Sequence, residues 1–357
     1  MMSRYKVSFP HLGNYYIPLE ILFTEGLEVD YIIPPSVTKR TLELGTRYSP
    51  DAVCAPFKYT LGNFIETLEL GANTLVQAGG VCRLGYYGEL DEQILRDLGY
   101  DVKFVNFAKT RISKPSTFYD KFKEINPNLS LNRIAKILPL VLKMVEYIDE
   151  IEDYVRKNIG FEVEKGSFDS LHEEFLESLE KVRTKPELNN TYQKYLNLFK
   201  GIKLKKPKRP LMVGIVGEYY TIMEPFSNHY IEKELAQKGI VVDRWMNVSN
   251  SLLHRPVKKV REHIKNYAKY DMGATSMYTI DKTLEFAKKK YDGVIHVKSS
   301  GCTPEIDAMP VLQNISSDHK IPILYFSFDT QTSDTGIQTR LEAFYDMIIM
   351  RKEKDNE

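Results

Sequence analysis

Leu211–Val216 reads LMVGIV, a run with no charge and only one glycine to interrupt its apolar character. A continuous apolar run of strand length marks a strand covered on both faces, as in a parallel sheet held between helices. Downstream, Val241–Asp243, Gly293–Val297 and Ile323–Phe328 have the same β-rich character. Between and after them, Ser227–Lys238, Ser276–Lys290, Pro304–Asn314 and Ile337–Arg351 carry apolar residues at helical spacing. Strand and helix in alternation predict a parallel sheet with helices on its faces.

The first third of the chain has the same pattern. Tyr5–Phe9, Glu28–Ile33, Thr74–Gln77 and Val102–Phe107 are rich in Val, Ile, Tyr and Phe and are predicted strands. Tyr15–Glu25, Thr60–Leu70 and Tyr87–Leu98 are predicted helices, with Gly71 and Gly99 placed as C-cap glycines after the last two. Between the two α/β regions the character changes. Leu131–Tyr154 (LNRIAKILPLVLKMVEYIDEIEDY) is helical throughout, and Pro139 is expected to kink it or to start a new helix. Leu171–Val182 and Leu188–Phe199 extend the helical pattern, and Lys203–Pro210 (KLKKPKRP) reads as a solvated hinge rather than a polyanion site. The expected fold is α/β: two Rossmann-like (flavodoxin-like) parallel-sheet domains with a helical insert. The boundaries fall at residues 1–117, 118–206 and 207–357, and no residue-level repeat links the two halves.

Forty-nine basic residues face 48 acidic ones, a net charge of +1, so no global field draws the chain to nucleic acid or to an anionic membrane. No stretch approaches the ~18–20 apolar residues of a spanning helix, and MMSRYKVSFP is not followed by a signal-length apolar run. The expectation is a cytoplasmic protein with neither a nucleic-acid nor a membrane partner.

Three cysteines are too few and too odd for a disulfide framework. Cys54 precedes Ala55-Pro56-Phe57-Lys58 and a helix. Cys82 follows the strand Thr74–Gln77 through Ala78-Gly79-Gly80-Val81. Cys302 follows the strand Gly293–Val297 through Lys298-Ser299-Ser300-Gly301, with Pro304 suited to a first helical turn. Each thus stands where a strand gives way to a loop or a helix. Ligands gather beyond the carboxyl ends of strands in open α/β sheets. Helix N-termini there favour thiolates and other anions. Spacing alone leaves three readings open: unrelated buried or reactive thiols, a zinc site completed by a residue such as His296, and a shared metal centre. The absence of any CxxC pair gives a zinc ribbon no support, and His296, inside an apolar strand, reads as a core residue.

The segments around these cysteines resemble one family. Cys54-Ala55-Pro56-Phe57-Lys58, Thr60-Leu61-Gly62-Asn63 and Gly79-Gly80-Val81-Cys82-Arg83-Leu84-Gly85-Tyr86-Tyr87-Gly88-Glu89 are similar to the 2-hydroxyacyl-CoA dehydratase-like proteins, in the branch labelled as related to the CoA-enzyme activase. Gly217-Glu218-Tyr219, Pro225-Phe226-Ser227-Asn228, Gly301-Cys302-Thr303-Pro304-Glu305 and Thr339-Arg340-Leu341-Glu342-Ala343-Phe344 resemble that family's second-domain motifs. The likeness spans most of the chain outside the helical insert.

The resemblance implies that Cys54, Cys82 and Cys302 hold an iron–sulfur cluster at the domain interface. This would be one [4Fe–4S] cluster per chain with an iron lacking a cysteine ligand, or half of a double-cubane cluster shared across a dimer. It further implies a homodimer or homologous heterodimer, a separate ATP-hydrolysing iron–sulfur activator, and a small-molecule or acyl-CoA substrate. Three roles are compatible with it: a low-potential reductase, a true 2-hydroxyacyl-CoA dehydratase subunit, or a non-enzymatic cluster-bearing partner of an activase. No GxxxxGK[ST] loop occurs, so ATP hydrolysis is not expected of this chain. Lys58 and Arg83 are candidates to offset cluster charge, against the alternative of solvated helix-start residues. Glu218 is a candidate for proton transfer, against a capping role. Glu305 is expected to compensate a helix dipole, and Tyr86 and Tyr87 to pack at a helix entry.

Overall fold

All eight predicted strands form, and they sort into two wholly parallel four-stranded sheets. The computed structural model describes residues 5–77, 82, 85–107, 115–254 and 256–354. The chain divides into two compact units, Met1–Tyr147 with Leu176–Thr191, and Ile148–Phe175 with Tyr192–Glu357.

The first unit runs β1 (Lys6–Ser8), α1 (Tyr16–Ile21), β2 (Asp30–Tyr31), α2 (Lys39–Tyr48), α3 (Ala55–Glu69), β3 (Thr74–Gln77), α4 (Tyr87–Asp97) and β4 (Lys103–Asn106). Its strands lie in the order β2-β1-β3-β4, with Val7 opposite Tyr31 and Thr74, and Gln77 opposite Asn106. Period-two alternation sends neighbouring residues of β3 to different layers. Val76 joins Val7, Val105, Phe23 and Ile125 on one side, while Leu75 joins Phe57, Phe64 and Leu95 on the other. Helix α2 was not predicted; it starts at a capping box in which Thr38 and Thr41 satisfy each other's backbone N–H groups.

Four helices follow: α5 (Pro115–Ile125), α6 (Leu131–Asn158), α7 (Ser167–Glu180) and α8 (Lys185–Gly201). Pro139 neither ends α6 nor starts a new helix. An internal proline costs about 3 kcal/mol. The buried stripe Leu140, Val141, Met144, Val145, Ile148 and Ile151 offsets that cost, since each such side chain contributes about 1.5–3 kcal/mol.

The second unit contains β5 (Leu211–Gly217), α9 (Tyr219–Met223), α10 (Ile231–Gln237), β6 (Ile240–Arg244), α11 (Val257–Ile264), α12 (Ser276–Lys288), β7 (Gly293–Ser299), α13 (Thr303–His319), β8 (Ile323–Phe328) and α14 (Asp334–Lys354). Its order is β6-β5-β7-β8. Both sheets therefore place their strands second-first-third-fourth, and in both the order reverses between the first and third strands. That reversal opens the crevice where α/β sheets bind ligands. The predicted helix Ser227–Lys238 is shorter than expected: Pro225–Asn228 form a 3-10 turn, and His229 and Tyr230 take left-handed backbone before α10 begins. No helix among the described residues is long and apolar enough to cross a membrane.

Candidate functional site

In the first unit, Cys54 does not follow a strand as expected: it comes after helix α2 and is the N-cap residue of α3, with extended backbone and no side-chain capping bond. Pro56, in the first helical turn, has no N–H to lose there. Helix α3 is buried on every side from Ala55 to Leu68, so its polar side chains need partners inside the protein. Most have them. Thr60 donates to the Pro56 carbonyl and Thr67 to that of Asn63, Asn63 donates to the Pro35 carbonyl, and Glu66 accepts from Thr41. Lys58 differs: it is only 8% exposed and makes no hydrogen bond or ion pair among the described residues. It is therefore not a solvated helix-start residue. Lying four positions after Cys54, it shares that residue's side of the helix, and helical side chains lean toward the N-terminus.

Cys82 lies between β3 and α4 and is partly exposed, as are Cys54 and Cys302; none forms a disulfide. Arg83 lies outside the described residues. Tyr87 packs edge-on against Phe57, but Tyr86 is 82% exposed and packs no helix entry. Gly88, Asp91 and Leu95 form the buried side of α4. A Cβ on Gly88 would meet the side chains of Gln77 and Asn106, which end β3 and β4. Asp91 is fully buried without a hydrogen-bond partner among the described residues, and burial pushes its carboxyl well above the usual range.

In the second unit, Cys302 is the N-cap residue of α13, again with no side-chain capping bond, and Pro304 lies in the first turn. Cys82 and Cys302 thus occupy one topological position, the connection leaving the third strand of each sheet. Glu305 is fully buried and does more than compensate a dipole. Its Oε2 lies 2.8 Å from Nε2 of His296 on β7, and its Oε1 accepts from Thr275 and Thr279 at the start of α12. This network ties the first turn of α13 to β7 and α12. His296 is a bonded core residue, as its apolar strand predicted.

Gly217 and Glu218 leave the end of β5 close against β7. Gly217 has φ +138°, and a Cβ there would fall 1.8 Å from the Val297 carbonyl oxygen, so only glycine fits. The Glu218 N–H then donates to that oxygen at 2.9 Å. Glu218 is the N-cap of α9: its carboxylate accepts from the N–H groups of Tyr220 and Thr221 at 2.7 and 3.0 Å, and from the Thr221 hydroxyl. Burial holds its carboxyl above the ordinary range, with a further push from the Glu305 charge, while these hydrogen bonds act the other way. Ser227 and Asn228 of the Pro225–Asn228 motif bond the carbonyls of Thr221, Ile222 and Glu224, so the motif braces the loop that carries Glu218.

A sequence-family model described as 2-hydroxyglutaryl-CoA dehydratase, D-component, matches residues 129–348, more than half of the chain. The chain belongs to this family. The match places it among the 2-hydroxyacyl-CoA dehydratase-like proteins and includes Glu218 and Cys302, whereas Cys54 and Cys82 precede the matched region. No curated protein matches the chain. Among the described residues of this dehydratase-family chain, no three His, Cys, Asp or Glu side chains are grouped as a metal site. The donor chemistry at Cys54 and Cys302 nonetheless fits an anionic cluster: a partly exposed thiol at the positive end of a helix, with a buried lysine four residues away. Sequence reasoning missed that second lysine, Lys298. A lysine at the end of the apolar run Gly293–Val297 was the signal that could have found it.

Proposed function

We propose that this chain is the cluster-bearing component of a 2-hydroxyacyl-CoA dehydratase-type system, with Cys54, Cys82 and Cys302 as the thiolate ligands of an iron–sulfur cluster. The observation that carries the reading is the equivalent placement of Cys82 and Cys302 after the third strand of two sheets of like order. A cubane held by three thiolates supplies low-potential electrons and one iron open to a further ligand. The chain's own residues prepare the surroundings. The N-termini of α3 and α13 favour negative charge, and Lys58 offsets it, with Arg83 assigned the same role from the sequence. Glu218, whose carboxyl burial shifts upward, is the candidate proton-transfer group at the end of β5. The same reading assigns a separate ATP-hydrolysing iron–sulfur activator as electron donor, a dimeric assembly and a small or CoA-linked substrate.

The test is anaerobic purification followed by measurement of iron and acid-labile sulfide, with EPR of the reduced protein. About four irons per chain are expected, and Cys54→Ser, Cys82→Ser and Cys302→Ser should each lose most of that iron. Zinc in its place, or three intact thiols without metal after reconstitution, overturns the reading. The match to a dehydratase component favours a second, narrower reading, a true dehydratase subunit. Loss of a 2-hydroxyacyl-CoA in the presence of activator and reductant supports it; no turnover across a broad acyl-CoA panel removes it.

A further inference from the structure

Lys298 is the penultimate residue of a strand with no wet face: every residue of β7 is buried, and Lys298 itself is 4% exposed. Period two places it on the same side of the sheet as Val294 and His296. Val294 packs in the layer with Ala308 and Leu312 of α13, and His296 bonds Glu305 of that helix, so Lys298 faces the layer that begins at Cys302. It makes no hydrogen bond or ion pair among the described residues. The two charges that act on it are those of Cys302 and Glu305, and they oppose the downward pull of burial on its ammonium. Glu305 is already engaged by His296, Thr275 and Thr279. An ammonium with three donors, desolvated beside a thiol at a helix N-terminus, is arranged to meet a negative group not supplied by those neighbours.

We propose that Lys298 is the anion-recognising cation of the Cys302 site, offsetting the charge of the group that Cys302 binds. On the reading above that group is an iron–sulfur cluster; the inference rests on that reading only for the identity of the anion. The alternative is a lysine that buries its stem and merely keeps its head in water, which would have no selectivity for negative charge at Cys302.

The two are separated by comparing how fast anionic iodoacetate and neutral iodoacetamide alkylate Cys302 in the metal-free full chain, read by peptide mass spectrometry. Both reagents attack the same thiolate, so the rate ratio cancels the thiolate fraction and reports local charge. The ratio in the folded wild type should exceed that of the urea-unfolded chain. Lys298→Gln should lower it at least about threefold at low salt, and Lys298→Arg should keep it. A folded ratio no higher than the unfolded one overturns the proposal even if the glutamine variant fails to fold; so does a folded Lys298→Gln variant with the wild-type ratio. Iron uptake by the wild type is scored separately. A Lys298-dependent ratio in a chain that takes up no iron sinks the cluster reading and leaves this one standing, and iron uptake without a Lys298-dependent ratio does the reverse.

Discussion

At the residue scale, Asp91 shows how a buried group turns into a pH dependence. Its carboxyl has an ordinary value of 3.8, which the unfolded chain retains, and burial raises it well above that in the folded chain. Between the two values the folded state holds a proton that the unfolded state has released. Stability therefore falls as pH rises from about 4 through the folded value, and is flat beyond it. Asp91→Asn is neutral at every pH and lacks that slope. Thermal denaturation across about pH 4 to pH 8 should show the variant gaining on the wild type as pH rises; a difference independent of pH would refute this account. The burial of Asp91 was hidden in the sequence because an aspartate on an amphipathic helix normally faces solvent. Lys58 and Lys298 escaped full recognition for the same reason: long charged side chains are mostly exposed, and only the layers packed around α3 and β7 enclose these two.

At the scale of the elements, α2 and α3 approach backbone to backbone. A Cβ on Gly62 would fall 1.9 Å from the Thr41 carbonyl oxygen, and one on Gly45 would fall 1.7 Å from that of Lys58. The contact also carries the buried bond from Thr41 to Glu66, at 2.7 Å, and through it braces the helix that Cys54 begins. Alanine inside a helix is ordinarily favoured over glycine by about 1 kcal/mol. Here the clash is with backbone, which cannot rotate aside, and overpacking of that kind costs about 1–3 kcal/mol or more. Gly62→Ala should thus destabilise the protein by about 2 kcal/mol net in urea denaturation; a neutral or stabilising result would show that the helices part freely. The resemblance already singled out Gly62 within Thr60-Leu61-Gly62-Asn63, but helix α2, which explains it, was not predicted. Its ten residues, KRTLELGTRY, hold few large apolar side chains, and its place depends on the glycines of two helices meeting.

For the whole molecule, two sheets of identical strand order each lead from their third strand to a cysteine, Cys82 and Cys302, on the side where α/β sheets bind ligands, while Cys54 stands between helices α2 and α3. A cluster bound only by the folded chain stabilises it by mass action. Anaerobic removal of iron with a chelator should therefore lower the melting temperature of the wild type, and should change that of the Cys302→Ser variant much less. Equal melting temperatures before and after complete removal would argue against ligation by the folded chain. By itself the sequence determined the alternation of strands and helices, all eight strands, the parallel sheets and the places of Cys82 and Cys302 after a strand, but not that of Cys54, which follows the unpredicted helix α2. These follow from the chain's own periodicity and from where glycine and proline permit turns. Only the tertiary structure decided which helices pass through a proline unbroken, that Glu305 and His296 bond each other, that Glu218 caps a helix, and that Lys58, Asp91 and Lys298 are buried. Those outcomes depend on which surfaces meet across layers, and local pattern along the chain does not encode the desolvation that such meetings impose.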